Sequence, residues 1–351
     1  MQYVQVNSLN GNEILAVPVL SSSEIILMHT DTVLKKEYIE KLLELGIEHV
    51  YIKDVVEEEE TVYRLDETKE KSKTVVKNVL EKHVYKHTED LKKVGETAEK
   101  ILDSVISEPE VISNITEIRN ISTDMYTHCI NVCALSTIMA LRLKMSEDQV
   151  KNIAIGAMLH DVGLRYISIP YMNVDLDDMS GKDSLEYKKH TIYGYSSIAE
   201  EHWLSDISKD IILFHHERED GTGFPFKHNK DKLRMEVKLV SVCDDFDSLI
   251  SGIGCKKMKI YEAIEYIQMG AGQIYDSAVA EKFLQTVAMY PVGSKVVTSE
   301  HEIGVVVRQN DGATDRPVLK MLVRADGSEY TTEVKKDLMK ILTLFIIDTV
   351  E

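Results

Sequence analysis

The chain has 351 residues, with 59 Asp and Glu against 41 Lys and Arg for a net charge of −18. That length accommodates two or three domains with their own cores. The negative balance disfavours a nucleic-acid polymer or an anionic membrane as main partner, but not a small phosphate ligand met by bound cations.

No apolar run approaches the roughly 20 residues of a transmembrane helix, and the N-terminus lacks the basic and apolar regions of a signal peptide. Cys129, Cys133, Cys243 and Cys255 show no paired zinc spacing. Cys129 and Cys133, at i,i+4, read as small core residues. A reducing cytoplasm is the expected compartment.

In chain order, residues 1–55 predict a small α+β module. Runs at Glu13–Leu20 and Glu24–Met28 read as strands, a helix over Lys35–Leu45 stops at Gly46, and Ile47–Ile52 returns as a strand. Residues 56–107, starting with Glu57–Glu60, are charge-rich and nearly free of breakers. They predict one or two solvated linking helices, with Val75, Val76, Val79 and Leu80 on an inner stripe. His83 and His87 stand at i,i+4 among polar neighbours, which suits a solvated face better than a metal clip.

Between 108 and 290 the helical period predicts helices over Ile112–Leu143 and Glu147–Leu159, then around Leu185 with His190 near the middle. Further helices are expected over Ile207–His216, Lys238–Leu249, Ile260–Ile267 and Ala278–Met289. Asp175–Asp178 reads as a solvated turn and Arg218–Lys232 as a loop. After Pro291, valine-rich runs alternate with Asn310-Asp311-Gly312 and Asp326-Gly327 turns. These predict a small, barrel-like β domain over 291–351, built for contacts rather than chemistry. The fold class is mainly α, with a small α+β module before the helices and a small β module after them.

Chemistry concentrates in the helical stretch. Leu159-His160-Asp161-Val162-Gly163 sets an imidazole beside a carboxylate whose two oxygens can each meet a cation. Asp124 and His128 share a helix face at i,i+4. His190 opens a helical run, the doublet His215-His216 leads into Glu217, and Asp244 follows the apolar run Val237–Val242. Five histidines and three carboxylates beside apolar helical segments require pairing or a metal. Imidazole and carboxylate without thiolate suit iron(II), manganese or zinc and do not choose among them. Two ions sharing Asp161 would lie about 3.5–4 Å apart, supply a bridging hydroxide and clamp a phosphate for in-line attack.

The ordered series His128, His160-Asp161, His190, His215-His216 and Asp244, followed after the doublet by Asp220-Gly-Thr-Gly223-Phe224-Pro225, resembles the HD-GYP family of cyclic di-GMP phosphodiesterases. The resemblance covers residues 90–288 or so. It implies an all-helical catalytic domain with two or three divalent ions, iron or manganese, and hydrolysis of cyclic di-GMP to the linear dinucleotide pGpG or on to GMP. Carried over by position, it puts His128, His160, Asp161 and Asp244 on one ion, and Asp161, His190, His215 and His216 on the second. Asp124 matches a glutamate that helps hold a third ion in some members. The module at 1–55 resembles the accessory module found before many such domains. The implied partner is a cyclic dinucleotide, with other signalling proteins and a second copy of the chain as further candidates.

The chain departs from the family in three places. Leu164 stands where a lysine normally offers charge to the phosphate. Arg165, in a segment about two residues longer than usual, is either its substitute or an exposed arginine at a helix end. Phe224 replaces the signature tyrosine, keeping the ring without the hydroxyl. Ile253 stands at an arginine that contacts the nucleotide, while Lys256 keeps a lysine three positions later. The expectation is therefore a metal-dependent phosphodiesterase with Asp161 and Arg165 in the chemistry and Lys256, Phe224 and Arg165 on the substrate. The alternatives are a catalytically weak sensor or scaffold binding a cyclic dinucleotide or partner protein, and a phosphodiesterase for another cyclic dinucleotide.

Overall fold

A computed structural model of the chain describes residues 2–9, 11, 13–20, 26–29, 32–52, 64–86, 91–113, 116 and 121–350. Two compact units emerge, 1–62 and 63–351. The first contains β1 (Gln2–Gln5), β2 (Val19–Leu20), β3 (Ile26–Met28), α1 (Lys36–Glu44) and β4 (His49–Ile52). β1 pairs antiparallel with β4, and β2 with β3, over a core that includes Val6, Leu15, Leu34 and Leu42. The strand expected over Glu13–Leu20 is mostly absent. Only Val19 and Leu20 join a ladder, while Ile14 and Leu15 make single bridges to Val33 and Ile52. Glu24 lies outside the described residues.

The second unit runs through α2 (Arg64–Lys86), α3 (Lys92–Ser107), α4 (Pro109–Ser113), α5 (Met125–Arg142) and α6 (Glu147–Leu159). It continues through α7 (Gly181–Lys188), α8 (His190–Ile198), α9 (Asp206–Phe214), α10 (Met235–Ser251), α11 (Ile260–Gly270) and α12 (Ser277–Leu284). Helix α5 is buried from Met125 to Ala140 except at Thr127, so it forms the centre of the bundle.

Three sequence expectations change here. The stretch read as a solvated linker is core: α2 and α3 lay Leu65, Val76, Val79, Leu80, Ala98 and Ile101 into the same apolar cluster as the later helices. One apolar stripe is enough to bury a helix whose other face is charged. Glu57–Glu60 and His87 lie outside the described residues, and His83 is buried, its Nε2 3.2 Å from the Ser197 carbonyl oxygen, rather than on a solvated face. The long helix expected from Ile112 is interrupted, because Asp124 starts α5 as its N-cap. The helix expected around His190 is two helices, and His190 opens the second.

After the helices, β5 (Lys295–Thr298), β6 (Ile303–Asn310), β7 (Ala313–Val323), β8 (Lys335–Asp337) and β9 (Ile346–Val350) form an antiparallel sheet in the order β8-β7-β6-β5-β9. Its core includes Val296, Val306, Leu319 and Leu338. The sheet has two end strands, β8 and β9, and so does not close as the expected barrel. Among the described residues no helix is long and apolar enough to cross a membrane.

Candidate metal centre

A Ser146–Gln149 capping box starts α6, which carries its apolar residues to Leu159 and ends as His160 and Asp161 turn into a 3-10 segment, Val162–Tyr166. Gly163 makes the next contact possible. A Cβ there would lie 1.8 Å from the His190 carbonyl oxygen and 2.6 Å from the Gly194 nitrogen. The 3-10 backbone therefore lies directly on α8, which brings Asp161 beside His190. Helix α9 delivers His215 and His216 at its C-terminal end, α5 supplies His128 and α10 supplies Asp244.

These elements converge at one buried point. Asp161 Oδ1 lies 3.3 Å from His190 Nε2 and 3.7 Å from His215 Nε2. Its Oδ2 faces the other way, 3.6 Å from His128 Nε2 and 3.5 Å from His160 Nε2. Asp244 Oδ1 is 3.0 Å from His128 Nε2, and its Oδ2 is 3.7 Å from His216 Nδ1. Two sets could each hold an ion: Asp161, His190, His215 and His216, and His128, His160 and Asp244, with Asp161 Oδ2 alongside.

Proton placement sharpens this. His160 Nδ1 donates to Ala157 O (2.7 Å), His190 Nδ1 to Tyr187 O (2.8 Å), and His215 Nδ1 to Ile211 O and Ile212 O (both 3.1 Å). A carbonyl only accepts, so each neutral ring turns an Nε2 lone pair inward. His128 Nδ1 donates to Asp247 Oδ2 at 2.7 Å, the carboxylate–histidine arrangement that orients metal ligands. The inward nitrogens then face each other, His128 against His160 at 3.1 Å and His190 against His215 at 3.3 Å. Asp161 Oδ1 and Asp244 Oδ2 are buried without a hydrogen-bond partner. Lone pairs pointed at lone pairs need a cation between them. The residues present fit divalent ions.

Electrostatics agree. Burial opposes a charged His128, yet Asp244 and Asp247 raise its pKa well above the ordinary value, and Asp161 and Asp244 raise His160 in the same way. Burial opposes ionised Asp161, but His160, His190 and His215 hold it well below the usual carboxylate range. Burial and the imidazole of His215 push His216 well down.

Other expected site residues fall elsewhere. Asp124 stands outside both ligand sets: Oδ1 accepts from the Tyr126 and Thr127 amides (both 3.0 Å), and Oδ2 takes Lys73 Nζ at 2.8 Å. A helix cap and an ion pair occupy the group expected to help hold a third ion. Lys256 is tied to Asp178 (2.5 Å) and Asp175 (3.3 Å), so Asp175–Asp178 is an ion-paired loop and not merely a solvated turn. Arg165 has a buried, unpartnered Nε, which removes the reading of it as an exposed helix-end arginine. Its charge and that of Asp161 both act on Tyr171, whose pKa burial pushes up to about 12. Phe224 stacks on His216 at 4.5 Å and 30°. Leu164 and Ile253 are both buried in the apolar core.

Sequence reasoning missed several supporting residues. Asp247, itself held by Ser122 Oγ at 2.7 Å, was detectable as a second carboxylate one turn after Asp244. Glu217 is buried and accepts the Phe226 and His228 amides (2.7 and 2.9 Å), fixing the loop that carries Phe224. Gly223 lets that loop reach the doublet, since a Cβ would lie 2.4 Å from His216 O. Asp245 comes within reach of His216 and Asp244 but is engaged by Arg218 and Tyr275, each at 2.7 Å.

Comparison with known proteins gives the class. A family model described as the HD domain matches residues 77–279, and one described as the KOW domain associated with HD domain matches 296–351. The chain belongs to the HD domain family, in its HD-GYP branch. Its relatives include the cyclic di-GMP phosphodiesterase PA4108 of Pseudomonas aeruginosa, 26% identical over 237 residues that cover 67% of this chain and 57% of that protein. A cyclic di-GMP phosphodiesterase of Thermotoga maritima is 29% identical over 216 residues, 58% of each chain. The chain thus spans a little over half the length of these curated relatives. Among solved structures, Bd1817, an HDG"Y"P protein from Bdellovibrio bacteriovorus, shares the fold with TM-score 0.54 at 20% identity, over 81% of this chain and 98% of its own.

Proposed function

We propose that this chain is a metal-dependent phosphodiesterase that hydrolyses cyclic di-GMP to pGpG or GMP, with residues 108–290 carrying the chemistry. The observation that carries this reading is the pair of buried, unpartnered oxygens, Asp161 Oδ1 and Asp244 Oδ2, among inward-facing imidazole nitrogens. Two divalent ions bound there, iron or manganese, would supply Lewis acidity to a phosphate and an activated water between them. The protein's own part is orientation. Backbone carbonyls fix the tautomers of His160, His190 and His215, and Asp247 fixes His128. Arg165, whose Nε is buried without a partner among the described residues, is the cation assigned to the phosphate, Phe224 stacks on His216, and Glu217 holds the Phe224 loop in place.

The test is purified protein loaded with iron(II) or manganese under reducing conditions, given cyclic di-GMP and followed by product chromatography. Linear dinucleotide or GMP is the expected product, and metal-loaded protein that leaves the substrate intact would sink the reading. The neutralised Lys256 and the buried Ile253 favour one second reading, a weak enzyme that senses the nucleotide. Binding without turnover in the same assay is its signature.

A further inference from the structure

Around the centre, the positive charge expected for substrate is mostly absent or already used. Leu164 and Ile253 are buried and apolar, and the Lys256 ammonium sits between Asp175 and Asp178. Its loop is laced to the strap beginning at Tyr171: Gly254 N–H donates to Tyr171 O (2.8 Å), Lys256 N–H to Asp175 Oδ1 (2.7 Å) and Lys257 N–H to Asn173 Oδ1 (2.9 Å). Freeing Lys256 for a phosphate would mean breaking its two ion pairs.

Lys188 is placed differently. It ends α7 two residues before His190, and its ammonium stands 5.9 Å from the centroid of the Phe224 ring. That ring stacks on His216 at 4.5 Å and meets His190 edge-on at 6.1 Å. Among the described residues Lys188 has no carboxylate partner, whereas the adjacent Lys189 is paired with Glu186 at 3.1 Å. Lys188 is also half-buried, and an aromatic face beneath an ammonium displaces part of its water, which strengthens any contact it makes with an anion.

We propose that Lys188 binds the second phosphate of a cyclic dinucleotide, the one not being cleaved, an inference that rests on the phosphodiesterase reading above. Such a substrate carries two phosphodiesters. The ligand cluster takes one. Lys188 and His216 both contact the Phe224 ring, so Lys188 stands beside the ligand cluster and not among the groups that would grip the scissile phosphate. A cation in that position adds binding to a two-phosphate ligand and little to a one-phosphate ligand.

Calorimetry on the metal-loaded full chain separates the two. The ligands are a phosphorothioate cyclic di-GMP that resists hydrolysis, and GMP, which has a single phosphate. Lys188→Met keeps a long side chain over Phe224, and should weaken the cyclic ligand about tenfold while leaving GMP within about twofold, as for one charge-assisted phosphate contact. Lys188→Arg should bind the cyclic ligand near the native level. Equal loss on both ligands, or no loss on either, would overturn the assignment and leave the phosphodiesterase reading standing. A native chain that fails to bind the cyclic ligand at all would overturn both.

Discussion

At the floor of the centre, four of the five clustered imidazoles have a second partner behind them. His128 leans on Asp247, His160 on Ala157, His190 on Tyr187 and His215 on Ile211. At the rim, Leu164 and Ile253 occupy positions that the family resemblance gives to basic residues and lie in the core, and the retained Lys256 is held by two aspartates. A buried ligand can change only together with its support, because an orphaned imidazole or carboxylate costs the desolvation of that group. A rim residue can differ alone, since Leu164 and Ile253 pack into the core and leave no polar group unpaired. The floor is therefore where the family's ligand pattern meets a matching buried cluster of side chains, and the rim is where this chain has to be read on its own terms.

The sharpest way to break the contrast is at Asp161, whose two oxygens serve the two ligand sets. Asp161→Ala should remove most bound metal and slow hydrolysis about a thousandfold or more, the several kcal/mol of transition-state stabilisation that bound ions supply. Elemental analysis finding an unchanged metal-to-protein ratio would mean that the two sets do not share this residue.

Next comes Arg165, the rim residue nearest to a floor role. Arg165→Ala should raise the barrier by roughly 2–4 kcal/mol, as for removing one anion-stabilising donor. Metal content should stay the same. Leu164→Lys is not a clean rescue, because position 164 is only 3% exposed and an ammonium there would be buried. A lowered melting temperature without gain in rate is the expected outcome. A gain in rate together with a harmless Arg165→Ala would show that the site lacks its phosphate cation.

One step behind the ligands, Asp247→Asn keeps the shape but loses the charge behind His128. Metal affinity should fall about 10–100-fold, as for other second-layer changes. Titration with manganese reads this directly, and an unaltered affinity would reduce Asp247 to a packing residue.

Much of the floor was legible in the sequence because its residues come as ordered pairs beside apolar runs, and the mainly helical class followed from the same runs. Asp247 was visible only as one of three carboxylates in Asp244-Asp245-Phe246-Asp247, and the rotation of α10 decides which of them faces His128. Asp247 faces His128, while Asp245 turns to Arg218 and Tyr275. The packing of α2 was hidden by its charge: Lys and Glu dominate its composition, yet Val76, Val79 and Leu80 are enough to seat it. Lys256 was misleading because its acidic partners lie far away in sequence, and only the fold brings Asp175 and Asp178 to it.

Asp124 was ambiguous for a chemical reason, since aspartate is favoured both as a ligand and as a helix cap. Asp124→Ala should cost about 1 kcal/mol of stability with metal content unchanged, the worth of an N-cap. Although burial opposes it, Lys73 and the Thr127 amide hold the Asp124 carboxyl below its ordinary pKa. A depressed folded value means the electrostatic part of its contribution is present above the unfolded pKa and is lost as pH falls through the folded one. Urea melts of native and variant protein should therefore differ at neutral pH and draw together in acid. A lower metal count in the variant would return Asp124 to the ligands.

The smallest effect is expected at Phe224, where rim and floor touch. The ring already stacks on His216, and the amides of Phe226 and His228 anchor its loop to Glu217, so position and packing do not depend on a hydroxyl. Phe224→Tyr adds one neutral donor at the edge of the site, worth roughly 0.5–1.5 kcal/mol, so turnover should change by less than about tenfold. Steady-state rates on cyclic di-GMP for the two proteins decide the point. A larger gain would mean that the missing hydroxyl belongs to the chemistry itself, and that a single rim substitution had weakened a site whose floor is intact.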